Sequence, residues 1–127
     1  MICSLLEAFF EYEAKKKINR HIDIEKNPFC ALNTAYLENG VYIEVAANVA
    51  VDKPLAIVHK THAKGRNLLM NVHNLIVAES GAELELIEYY HYTGEQKSEY
   101  LLNVVNEIFL GKNSHLQHIK IQKDAFY

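Results

Sequence analysis

The segment NVHNLIVAESGAELELIEYY, Asn71 to Tyr90, is answered 32 positions later by NVVNEIFLGKNSHLQHIKIQ, Asn103 to Gln122. Both open Asn-Val-x-Asn, run through an apolar stretch, break at a small polar corner and resume with alternating apolar residues. The spacing reaches backwards too: Val45 lies 32 before Val77, and the corner Ala46-Ala47-Asn48 lies 32 before Ala78-Glu79-Ser80. A fixed period with corners in place of hairpin loops marks a solenoid. No single pass buries its apolar side, so successive passes must stack, strand on parallel strand. Small or left-handed-tolerant residues at the corners (Gly81, Gly111, Asn113) let the chain turn sharply. Period-two alternation puts Leu84, Leu86 and Glu88 on one face, as it does Leu116 and His118. The reading also stacks Val45, Val77 and Phe109. The rival architecture is a two-sheet sandwich or small barrel. Asn-Gly, the strongest short hairpin signal, occurs once, at Asn39-Gly40, with no clear strand before it.

The rest of the chain reads as helix, then strands. Ser4-Leu5-Leu6-Glu7 has the form of a capping box. Leu5, Leu6, Phe9 and Phe10 follow at helical spacing, and Lys15, Lys16 and Lys17 suit a helix C-terminus. A helix over Leu5–Ile18 is expected, with Asn27-Pro28 ending any continuation. Strands follow at Val41–Val45, Val49–Val51, Leu55–Val58, Leu75–Val77, Glu83–Tyr90, Glu107–Leu110 and His115–Gln122. Between them lie the corners Asp52-Lys53-Pro54, Glu79-Ser80-Gly81 and Gly111-Lys112-Asn113, and two polar excursions, His59–Asn67 and His91–Glu99. The division is a helical segment over 1–26 and a β core over 27–127. A last strand followed only by Asp124-Ala125-Phe126-Tyr127 leaves a coil uncapped, which predicts self-association through that edge or marginal stability of the chain when alone.

With 127 residues, half of them hydrophobic and 23% charged, the chain has the balance of one globular unit and not of a disordered one. A net charge of −3 argues against nucleic acid or an anionic membrane as partner. No apolar run approaches the ~20 residues of a membrane span. The N-terminus lacks the pattern of a secretory signal, because Glu7 interrupts its apolar stretch. Cys3 and Cys30, far apart and without metal spacing, read as free thiols of a reducing cytoplasm.

Seven histidines are the most suggestive chemical feature. His59 and His62 sit at a strand end and loop, with no carboxylate close by in sequence. His115 and His118 fall on opposite faces of a strand and cannot share an ion. Surface or packed histidines account for both pairs. Lys60, Lys64, Gly65 and Arg66 make a short basic loop, best explained as a solvated excursion. Glu83 and Glu85 share a face, Glu88 takes the other, and all three read as ordinary sheet carboxylates. Tyr89, Tyr90 and Tyr92 form an aromatic knot suited to packing at the coil end. No nucleophile elbow, phosphate loop or His-Glu-x-x-His is present. The residues nominate no catalytic, cofactor or metal site.

The pieces Leu32-Asn33-Thr34-Ala35, Asp52-Lys53-Pro54, Gly81-Ala82-Glu83-Leu84 and Asn106-Glu107-Ile108-Phe109-Leu110-Gly111, in that order, resemble the SufB/SufD family of the Suf iron–sulfur cluster assembly system, and the SufD branch more closely. The resemblance covers the chain from about Ser4 onward. It implies a right-handed parallel β-helix and a non-catalytic scaffold that works through a SufB-like paralogue and a SufC-like ATPase. Family members are several times longer. The residues proposed to handle the cluster lie in a later part of the β-helix that nothing in this sequence matches, so no cluster site is carried over, and no cofactor is assigned to this chain. Cys30 stands where the family has a small apolar residue, and packing is the role that implies. Two other classes stay open at this point. One is a small metal-dependent β-barrel enzyme using His59 and His62. The other is a β-solenoid interaction module unrelated to clusters.

Overall fold

In the computed structural model the described residues are 1–11, 13–65, 67–94 and 99–123. Arg66, part of the excursion His91–Glu99 (residues 95–98) and the chain end 124–127, named above, lie outside them, as does Tyr12 within the expected helix. The elements in order are β1 (Ile2–Ser4), α1 (Leu5–Glu11), a 3-10 turn (Glu13–Lys16), α2 (Pro28–Ala35), β2 (Val41–Val45), β3 (Leu55–Thr61), β4 (Leu68–Ala78), β5 (Glu83–Tyr92), β6 (Tyr100–Leu110) and β7 (His115–Lys123). From β2 onward the strands alternate between two sheets. One has the order β1-β2-β4-β6 and the other β3-β5-β7. All pairs are parallel except β1 with β2. The chain is thus mainly β, and each pass contributes one strand to each sheet.

The repeat is the register. Asn71 pairs with Asn103 and Val77 with Phe109, while Glu83 pairs with His115 and Tyr90 with Gln122. The first pass departs from it. Val45 pairs with Ala78, not Val77, and Leu55 with Leu86. The Val45–Val77–Phe109 stack therefore holds only for its last two members. The corner from Val51 to Pro54 explains the next shift. Ala50 is opposite Glu83 and Leu55 opposite Leu86, so the first pass carries two more residues there than the second. At the other corner the passes agree: Asn48, Gly81 and Asn113 occupy equivalent places, with φ of 60°, 71° and 59°. Asn48 N–H donates to Ser80 O, and Gly81 N–H to Lys112 O. A Cβ on Gly81 would meet Asn48 Oδ1 at 2.5 Å, so a side chain there would push the Asn48 amide aside.

Between the sheets lies an apolar core of Ile43, Val45, Ile76 and Ala78 from one side and Ile57, Leu84 and Leu86 from the other. A second cluster covers the outer face of the four-stranded sheet. There Leu5, Ala8 and Ala14 pack on Tyr42, Leu75 and Val77. The N-terminal helix is shorter than its pattern predicts. Glu7 N–H donates to Ser4 Oγ as expected, but the apolar stripe that seats Leu5 and Ala8 on the sheet runs into three consecutive lysines, and the chain tightens to a 3-10 turn around buried Ala14. Asn27-Pro28 proves to be a start, not a stop. Asn27 Oδ1 accepts from the N–H groups of Phe29 and Cys30, and Pro28 takes the first helical position, where its missing N–H costs nothing.

Candidate functional site

The two Asn-Val-x-Asn motifs lie side by side in β4 and β6, and their three-residue spacing sends the two asparagines to opposite faces. On the outer face Asn103 Nδ2 donates to Asn71 Oδ1 (2.9 Å) and to Phe29 O (2.8 Å). On the inner face Asn74 Nδ2 donates to Asn106 Oδ1 (2.8 Å), and Asn106 Nδ2 donates to Glu88 Oε2 (2.9 Å). Each face then leads to a buried carboxylate.

Glu88 is the inner one. Its side chain is 0% exposed, between the sheets and not on an outer face. Alternation along β5 is the reason: Leu84 and Leu86 point inward and Glu88 follows them. His59 Nε2 donates to Oε1 (2.9 Å), joined there by the Tyr90 hydroxyl. His118 Nε2 donates to Oε2 (3.0 Å) alongside Asn106. Four donors thus fill the four lone-pair directions of the carboxylate. Burial raises the carboxyl, but the bonds from His59, Tyr90 and Asn106 outweigh it and hold Glu88 down to about 2. The Tyr90 phenol moves up, by burial first and then by the carboxylate beside it. The His59 and Tyr90 rings stack at 4.5 Å, and Lys120 Nζ lies 4.7 Å from the Tyr90 centroid. Beside this cluster lies a cavity of about 440 Å³, with His59, Thr61, Tyr92, Leu102, Val104 and Lys120 in its walls.

Glu107 is the outer one. Alternation along β6 turns it away from the core, toward the segment before α2. It accepts from the backbone N–H groups of Asn19 (2.6 Å) and His21 (3.2 Å) and from His73 Nε2 (2.9 Å). Burial again opposes ionisation, and His73 with the two backbone donors prevails, so its carboxyl is lowered. Asn33, wholly buried, gives both amide hydrogens away, to Val72 O and Asn103 O. Its Oδ1 can then only accept, and it faces His73 Nδ1 at 3.1 Å.

Of the sequence candidates, the structure brings His59 and His118 together on Glu88 and leaves the rest apart. His62 is exposed and contacts Thr93. His115 is exposed on the other face of β7. Glu83 and Glu85 do lie on the outer face, and Lys60 and Lys64 are exposed. The tyrosine knot divides: Tyr90 is buried, Tyr89 faces out, and Tyr92 stacks on Tyr100 at 4.5 Å. Among the described residues no group of three or more His, Cys, Asp or Glu is arranged to hold a metal ion. Cys3 and Cys30 are half-buried and unpaired with each other, and burial, then Glu7, raises the Cys3 thiol. Sequence reasoning missed His73, Glu107, Asn33 and the depth of Glu88. One available signal was the 32-residue offset that aligns Asn74 with Asn106.

As chemistry, the Glu88 cluster is saturated. A carboxylate held near 2 with every lone pair engaged is a weak base, and it ties β3, β5, β6 and β7 together. The Glu107 cluster does the same for β4, β6, α2 and the 19–21 segment. No described helix is long and apolar enough to cross a membrane.

Residues 60–126 match the SufBD core domain of the SUF system for FeS cluster assembly. An iron–sulfur cluster assembly SufBD family protein of Synechocystis is 27% identical over 103 residues, covering 76% of this chain and 23% of the relative. The SufD protein of Bacillus subtilis is 28% identical over 97 residues (76% and 22%). A SufBD family protein of Staphylococcus epidermidis is 30% identical over 119 residues (94% and 24%). The chain spans about a quarter of the length of these relatives. With its core matched over more than half its residues, including both buried carboxylates, the chain belongs to the SufBD family of iron–sulfur cluster assembly proteins.

Proposed function

We propose that this chain is a scaffold section of a SufD-type assembly protein, a stretch of right-handed parallel β-helix that does no chemistry of its own. In this reading residues 1–26 form a helical segment and 27–127 the coil stack. It acts in the cytoplasm by presenting surfaces to a SufB-like paralogue and a SufC-like ATPase, and it holds no cofactor. The supporting observation is how the polar interior is used. Glu88 and Glu107, the natural places to look for an acid, base or ligand, spend their lone pairs bonding one coil or helix to the next. The open side of β6 and β7 supplies the docking edge, where Leu116 and Ile108 pack only partly into the core. A further coil, a partner chain or a second copy of this chain would satisfy that edge by continuing the two sheets.

Co-expression with the SufB-like and SufC-like chains of the same genome, followed by affinity capture on a tagged copy of this chain, tests the reading. Recovery of both partners in fixed ratio is expected. Recovery of neither, with the chain folded by circular dichroism, would remove the scaffold role.

A further inference from the structure

Two buried polar atoms on β3 have no hydrogen-bond partner among the described residues. Ile57, His59 and Thr61 alternate inward along that strand. His59 spends Nε2 on Glu88, and its Nδ1 is left over. Thr61 is 3% exposed; its carbonyl accepts from Thr93, but its hydroxyl meets no partner. A polar atom buried in this way costs stability unless a group from outside the chain completes it. Both residues line the cavity of about 440 Å³ beside the Glu88 cluster. With Leu102 they also line a second cavity, of about 360 Å³, that reaches Gly40, Met70 and Val72. Along β3 the apolar core ends at Ile57, short of both polar atoms.

The larger cavity has a sign. Lys120 stands opposite Glu88 in the β5–β7 register, on the inner side, with Nζ over the Tyr90 ring. It forms no ion pair among the described residues. Glu88 is closed to it, since His59, Tyr90, His118 and Asn106 fill its lone pairs. Lys123 also reaches the walls, and no described aspartate or glutamate does. The rest of the lining is apolar or aromatic: Tyr90, the stacked Tyr92–Tyr100 pair, Leu102 and Val104.

We propose that this cavity binds a small organic anion, a carboxylate head on an apolar or aromatic body. Lys120 supplies the charge for the head, and the Thr61 hydroxyl and His59 Nδ1 supply its polar contacts. The tyrosine rings, Leu102 and Val104 take the body. A volume within the range of small-molecule sites, about 300–1,000 Å³, suits such a ligand. Phosphate fits less well. It is ordinarily clasped by an arginine fork, a backbone nest or a helix N-terminus. The described walls hold no arginine, and the first-turn N–H of α2 that borders them, at Phe29, is already taken by Asn27.

Titration of the whole isotope-labelled chain with sodium benzoate, followed by amide chemical shifts, tests this site. Saturable shifts at Thr61, Leu102 and Val104 in millimolar benzoate are expected, with none from benzamide, the neutral isostere. Lys120→Gln should raise the dissociation constant about ten-fold or more. Thr61→Val should also weaken binding, and should leave the melting temperature equal or higher, because it removes a hydroxyl that the unliganded chain leaves unpaired. Should the valine variant fail to fold, Lys120→Gln and the benzamide arm decide. Benzamide shifts equal to those of benzoate, tighter binding of inorganic phosphate, benzoate affinity indifferent to Lys120→Gln, or no saturable shift at all would each overturn the proposal. None of these results bears on the scaffold reading.

Discussion

Replacing Glu88 by glutamine isolates what the inner carboxylate contributes. The shape is kept, the charge is removed, and one acceptor oxygen becomes an amide that faces donors. His59 and Tyr90 address one oxygen and His118 and Asn106 the other, so whichever way the amide is turned, two donors confront a third. The magnitude follows from the titration. A carboxyl lowered from 4.5 to about 2 on folding stabilises the folded chain by about 3 kcal/mol when ionised. Because the folded value is the lower one, that stability is complete at pH values above 4.5. It is lost as pH falls toward 2, with roughly half left at pH 3. Urea unfolding of wild type and Glu88→Gln, followed by far-ultraviolet dichroism at pH 7 and pH 3, is the assay. A loss of about 3 kcal/mol at pH 7, or about 10 °C in melting temperature, should shrink to about half at pH 3. A variant within about 0.5 kcal/mol of wild type at pH 7, or a gap that ignores pH, would refute the view that this cluster holds the two sheets together.

Glu107→Gln should speed amide exchange at Asn19 and His21, whose N–H groups it accepts, and should cost about 1–3 kcal/mol, read by hydrogen exchange and urea melts. Gly40→Ala should be among the most damaging single changes: φ is +148° and a Cβ would sit 1.7 Å from His73 O, so a loss of about 3 kcal/mol or more in a thermal melt is expected. Asn27→Ala removes the cap of α2 and should cost about 1 kcal/mol by the same melt, leaving the strand signal in place.

The fold was legible wherever one pass of strands repeats the next. Parallel strands in register place like residues above like, so an offset of 32 in the letters becomes an offset of 32 in space at β4–β6 and β5–β7. Legibility failed where the chain length between strands changed. Val45 pairs with Ala78 already before the Val51–Pro54 corner, and the two extra residues in that corner then shift β3 against β5. The first halves of β4 and β6 escaped because asparagine disfavours strands when judged alone. What permits Asn71 and Asn103 there is each other, and no single-strand propensity contains that term. The site was opaque for a related reason. His59 meets a carboxylate 29 residues away; nearness along the chain says nothing when neighbours in space lie on successive strands of one sheet.

One consequence concerns the motif itself. Strand alternation puts residues three apart on opposite faces, so Asn-Val-x-Asn serves two sides of one sheet at once. Asn71 and Asn103 hold α2 outside, while Asn74 and Asn106 reach the Glu88 cluster inside. Glu107, next after Asn106, returns to the outer side and fixes the 19–21 segment. A slip of one residue in β6 would exchange these roles, turn Glu107 into the apolar core and expose Ile108 to α2, burying a charge without its donors. The register of the two parallel sheets is therefore set by polar groups as firmly as by the aliphatic ones. That also accounts for the presence of charge in the interior: an all-apolar interior could slide by two residues and still pack, but only one register satisfies both carboxylates.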